Sequence, residues 1–153
     1  MTTRPSPSFV PGLPNPVTEP AFYAGVSGKR FFAWCFDAVI IAVLCLLVVP
    51  FTAFTAIFFL PLLWLVVGFL YRWATLAGRS ATWGMRLMAI ELREADGLRL
   101  SGGSALIHAL GYTVSVTVAP LQVISVILMV ALGRGQGLTD LIIGTAMINR
   151  PAD

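Results

Sequence analysis

Apolar residues in this chain run in blocks too long for one face of a soluble fold. From Phe31 to Val49 the only charge is Asp37. A helix of that length can cross a hydrocarbon core of about 30 Å. Pro50 ends the block, and a second uncharged run continues to Tyr71, where Arg72 closes it. Only the neighbourhood of Pro50 is left for a turn, so the two runs predict a helical hairpin with almost no loop. Pro61 falls inside the second run and predicts a kink there. Trp64, Tyr71 and Trp73 include candidates for an interfacial aromatic belt.

The pattern then changes. Residues 72–104 hold Arg72, Arg79, Arg86, Arg93 and Arg99. Leu87 to Arg93 has strand-like content, Asp96-Gly97 is a turn signal, and Leu98 to Leu100 can return beside it. A small β-hairpin outside the membrane is expected, with Thr145 to Ile148 joining it as a sheet. Ser101 and Ser104 are candidate caps for the next helix. Ala105 to Leu132 is a third apolar stretch, about 42 Å long as one helix. That is too long for an untilted span and too short for two. A break near Ala119-Pro120 is expected, with the first piece partly interfacial. The end is a glycine-rich turn at residues 133–137, a short apolar element carrying Asp140, and a strand-like Thr145 to Asn149.

Before the first block, Pro5, Pro7, Pro11, Pro14, Pro16 and Pro20 mark a stretch that can bury little. The expected organisation is a disordered proline-rich tail over residues 1–27 and a membrane domain over 28–150. The fold class is an all-α membrane protein: a hairpin plus a broken third stretch, giving three or four transmembrane or re-entrant helices, with a small cytoplasmic β-hairpin or sheet. The tail does not resemble a secretory leader, so the first helix is expected to stay uncleaved.

Composition sharpens this. Hydrophobic residues make up 58% and charged residues 11%, against roughly 45–50% and 25% in soluble domains. Such a chain cannot supply a soluble domain's charged surface, and its first partner is the lipid bilayer. The net charge is +3, but the cations sit singly beside apolar runs, which argues against nucleic-acid binding. Arg4, Lys29 and Arg30 precede the first block, five arginines follow the second, and the Pro50 turn has no charge. By the positive-inside rule the N-terminus and residues 72–104 are cytoplasmic, in a multi-pass protein of the cell inner membrane. Cys35 and Cys45 are too far apart on one helix for a disulfide. They read as apolar fillers with no metal role.

Three places carry a family resemblance. Arg30-x-x-Ala33-x-x-x-Asp37 opens the first block. Gly78-x-x-x-Thr82-x-Gly84-x-Arg86-Leu87 follows the second, with Gly97-x-x-Leu100-Ser101 after it. Gly137-Leu138-Thr139-Asp140-Leu141-Ile142-Ile143-Gly144-Thr145 lies near the end. Together, in this order, they resemble the RDD family over about residues 25–150. The family's named arginine and two aspartates fall on Arg30, Asp37 and Asp140. Gly78, Thr82, Gly84, Arg86, Gly144 and Thr145 match secondary positions. The chain has Thr82-Trp83-Gly84-Met85 where such proteins often have Thr-Pro-Gly-Lys. It has Thr139 where a histidine is common, and His108 nearest to a common arginine. The resemblance implies a membrane protein for which transport of unidentified ligands, or cation/proton exchange, has been proposed.

The residues themselves leave two chemistries open. A carboxylate at Asp37 costs about 2.5–3.5 kcal/mol on insertion scales, so it should face inward and find a partner. Arg30, nearly on the same helix face, is the first candidate; Arg72, Arg86 or a threonine hydroxyl are others. The acid is either a packing latch or a proton or cation site. Asp140 reads as a cap or an ion pair with Arg134, or as half of a carboxylate pair with Asp37. His108 reads as a satisfied polar residue at the membrane surface. No nucleophile arrangement and no phosphate loop is present in the sequence, so neither an enzyme nor a cofactor is expected. The two function classes are transport or ion handling as a homo-oligomer, and a non-transporting structural or partner-binding membrane subunit. A dry, fully paired Arg30/Asp37/Asp140 set favours the second.

Overall fold

The long apolar runs form the helices expected of them. In the computed structural model, which describes residues 12–151, α1 spans Val26–Phe51 and α2 spans Leu60–Arg79. With their flanking 3-10 turns the candidate membrane spans run Pro20–Phe51 and Thr55–Arg79. Along α1 the residues Ala33, Asp37, Ile41, Cys45 and Val49 are buried, each four after the last. Phe31, Val39, Val43, Leu46 and Leu47 on the same helix are exposed. An apolar outward face of this kind suits lipid and not water.

The connection between the spans is longer than the sequence predicts. Pro50 lies inside the last turn of α1. Ala53 and Phe54 then take left-handed backbone angles, and Thr55–Phe59 forms a 3-10 turn. Pro61 does not kink α2. It occupies the first turn of that helix, where its missing N–H breaks no intrahelical bond.

After α2 comes a short helix, α3, at Trp83–Leu87, then strand β1 at Ile90–Arg93. The third apolar stretch is divided as expected: α4 spans Gly102–Thr117, α5 spans Ala119–Ala131, and the pair bends by 114°. Ser101 is the cap of α4, its hydroxyl accepting from the Ser104 N–H at 3.1 Å. α6 follows at Leu138–Ile143 and β2 at Ala146–Asn149.

The expected joining of the C-terminal segment to the sheet is borne out, and only the hairpin return beside it is reduced to a bridge. β1 pairs antiparallel with the C-terminal β2, Ile90 opposite Asn149 and Arg93 opposite Ala146. The return after Asp96-Gly97 contributes only an isolated bridge between Arg93 and Arg99. The strand also begins later than expected, because residues 83–87 are helical. Pairing of β1 with β2 has a topological consequence: the chain between them leaves one end of the molecule and comes back to it. α4 and α5 therefore form an excursion with its bend at Val118, the residue between them.

Residues 1–11 of the expected tail lie outside the described residues. Residues 12–25 carry their own contacts: Tyr23 is buried, and its hydroxyl donates to the Pro14 carbonyl at 2.8 Å. The Asn149 amide donates to the carbonyls of Ala21 and Ala24, both at 2.9 Å, and Lys29 Nζ donates to Asn149 Oδ1 at 2.7 Å. The start of α1, the sheet and the C-terminal strand thus share one end. The main apolar core lies there too, built from Val26, Ala33, Leu76, Ile90, Leu92, Leu100, Ala105 and Met147.

Candidate functional site

Two carboxylates are buried where the polar end meets the spans. Asp37 is on the inward stripe of α1 and Asp140 is in the first turn of α6, each at most 1% exposed. A buried charge survives only when paired and hydrogen-bonded, and both are.

Asp37 Oδ1 accepts from the Tyr71 hydroxyl at 2.7 Å and from the Gly84 N–H at 2.9 Å. Its Oδ2 accepts from the Thr82 hydroxyl at 2.7 Å and lies 3.7 Å from Arg72 Nη1. Thr82 caps α3, its hydroxyl also accepting from the Met85 N–H at 3.2 Å. The Tyr71 hydroxyl accepts in turn from the Trp83 N–H at 3.1 Å. Asp37 therefore ties α1 to α2 and to the start of α3. Gly84 is required by this approach: a Cβ there would collide with the Ala33 carbonyl oxygen and sit 2.8 Å from Asp37 Oδ1. Arg72 is held from its other side by Tyr112 on α4, stacking 3.9 Å over the ring and donating to its hydroxyl at 3.2 Å.

Asp140 gathers the second set. Its Oδ2 lies 2.6 Å from Arg30 Nη1 and accepts from the Gly137 N–H at 3.0 Å. The Gly137 bond closes the first turn of α6, so the carboxylate also serves as a cap. Its Oδ1 is 2.9 Å from His108 Nε2 and accepts from the Thr145 hydroxyl at 3.2 Å. Burial alone would raise the Asp140 carboxyl. The Arg30 charge and the His108 bond, with lesser help from Gly137, outweigh it and hold the group below the usual carboxylate range. Gly144 ends α6 with a left-handed φ of 79°, a conformation that favours glycine.

Arg30, Asp37 and Asp140 are thus not one cluster. Arg30 pairs with Asp140 and not with Asp37, because its side chain leaves the α1 stripe toward α6. Arg72 is the arginine at Asp37. Arg134 makes no ion pair with Asp140, and His108 is not a surface residue but is 6% exposed and bound to that acid. Among the secondary positions, Thr82 and Gly84 meet at Asp37, and Gly144 and Thr145 adjoin Asp140. Gly78 and Arg86 touch neither acid. Tyr71 was legible only as a candidate for an interfacial aromatic belt, and Tyr112 was not singled out. Nothing local marks them as partners of Asp37 and Arg72.

A small cleft of about 30 Å³ adjoins the second set, lined by Arg30, His108, Ser115, Gln122, Ser125 and Asp140 among others. Its polar walls are partly spent on each other, Ser115 donating to Gln122 Oε1 at 3.0 Å and Ser125 accepting from the Leu138 N–H at 3.0 Å. His108 Nδ1 is buried with no partner among the described residues.

The comparisons with known proteins give one match. A family model described as RDD family matches residues 23–144, which takes in both acids, Arg30 and everything that pairs with them except Thr145. No curated protein and no solved structure matches the chain.

Proposed function

The chain belongs to the RDD family, and from that premise we propose that it is a non-transporting, non-enzymatic membrane subunit whose signature charges are structural latches. The observation that carries this is the saturation of both acids. Each carboxylate has an arginine and three or more hydrogen-bond partners, and neither is open to water. Asp37 binds α3 to the hairpin, and Asp140 binds α6 and the approach to β2 to α1 and α4. The domain so assembled presents a rigid polar end beside apolar spans, suited to docking on another membrane protein or on further copies of this chain. In this reading the polar end is cytoplasmic. Lys29, Arg30, Arg79, Arg86, Arg93, Arg99 and Arg150 gather near it, whereas residues 52–59 carry no charge.

A second reading, cation or proton handling in an oligomer, draws on the polar cleft beside Asp140 and the free His108 Nδ1. One experiment separates the two. Purified protein and Asp37→Asn are placed in liposomes, and thermal stability and cation and proton flux are measured together. The latch reading expects no flux above protein-free liposomes and a loss of about 3 kcal/mol for Asp37→Asn, part of it recovered by adding Arg72→Gln. A stable Asp37→Asn that loses a flux the parent shows would replace the first reading with the second.

A further inference from the structure

Away from the two acids, the polar end holds two arginines, Arg79 and Arg86, that no carboxylate pairs with among the described residues. α2, and with it the second span, ends at Arg79, so the residues that follow sit at headgroup depth. Two residues on, the Ala81 carbonyl accepts from Arg86 Nε at 3.2 Å, and the Arg86 guanidinium lies 5.0 Å over the Trp83 ring. Arg150 is brought to the same place by the sheet, its N–H donating to the Ala89 carbonyl at 2.8 Å, while the Ala89 N–H donates to the Arg86 carbonyl at 3.1 Å. Burial first, then the charges of Arg79 and Arg150, hold Arg86 below its ordinary pKa.

Among the described residues, Arg79 and Arg86 make no ion pair. The carboxylate at Arg150 is Glu91. Its Oε1 is taken by Arg93, and its buried Oε2 is 3.9 Å from Arg150 and hydrogen-bonds to nothing described. That acid therefore faces two arginines, Arg93 and Arg150, and leaves Arg79 and Arg86 without a carboxylate among the described residues. Beside them Trp83 and Leu87, one turn apart on α3, are 59% and 60% exposed. A soluble anion would answer the charge and leave these two side chains in water. A phospholipid answers both, with phosphate for the guanidinium groups and acyl chain for the apolar pair.

We propose that Arg79, Arg86 and Arg150 form a docking site for the headgroup phosphate of an anionic phospholipid, with Trp83 and Leu87 set in the acyl region beside it. The test compares spin-labelled phosphatidylglycerol with spin-labelled phosphatidylcholine for association with the full chain in phosphatidylcholine vesicles. The full chain prefers phosphatidylglycerol, and Arg79→Gln and Arg86→Gln each reduce that preference about fivefold. Arg79 is exposed and makes no described side-chain bond, so its variant keeps the fold even if Arg86→Gln disturbs α3. Arg99→Gln, equally exposed but in the loop before α4, leaves the preference unchanged. The proposal fails if the parent shows no preference, or if Arg99→Gln loses as much as Arg79→Gln. It also fails if millimolar inorganic phosphate displaces the labelled lipid, which would mean a soluble-anion site.

Discussion

Asp37 was legible as an inward residue because a carboxylate costs too much against lipid, and the structure places it in step with Ala33, Ile41 and Cys45 along α1. Its partner was not legible. Helical phase put Arg30 on the same face, but phase fixes where a side chain starts and not where a long one ends. Arg30 reaches an acid far along the chain, at Asp140, and no local pattern encodes that pairing. Gly84 is the residue on which the Asp37 set is most exacting. Gly84→Ala is expected to push α3 off α1 and cost about 1–3 kcal/mol, read as a lower midpoint in thermal unfolding; an unchanged midpoint would mean that the close approach is not needed. Asp140 gives a pH signature. Its folded carboxyl is held below the unfolded value of about 3.9, so its stabilisation is complete above that pH and is lost as pH falls below it. Unfolding midpoints of the parent and of Asp140→Asn should therefore keep a constant gap from pH 7 to 5 and converge below about 4. A gap that closes instead between pH 7 and 5 would point to another group.

At the scale of elements, what could be read was whatever repeats over many residues. The two spans and the break at Ala119-Pro120 follow from apolar length and a single proline. Of the short elements, the one carrying Asp140 and the terminal strand followed too, but α3 and the start of β1 did not, because too few residues vote. Thr82 starts α3 by capping it, and this takes Leu87 from the strand that its apolar neighbours suggested. Asp96-Gly97 makes a turn, as its residues require, but the chain after it returns for only one bridge. The longer pairing goes to β2, which was expected to join the sheet because a terminal strand must satisfy its backbone groups, and how the pairing is shared between the near and the distant segment depends on packing that no local window contains. Pro61 shows the same limit. Whether a proline kinks a helix or begins one depends on where the helix starts, and the apolar run does not say.

In the whole molecule, the best-packed core lies at one end and the spans lead away from it. The polar end is assembled from segments far apart in sequence: the start of α1, the α3–β1 segment, and α6 with β2. Asp37 and Asp140 are the charged points at which these segments are fastened to the spans. Hydrogen exchange of the chain in nanodiscs, compared between the parent and Asp140→Asn, tests this most directly. If Asp140 is a latch, amides of residues 90–93 and 146–149 should lose protection together, by roughly a hundredfold, while those of α1 and α2 keep theirs. Unchanged protection of both strands in a folded Asp140→Asn would contradict the latch and leave the acid free for another role.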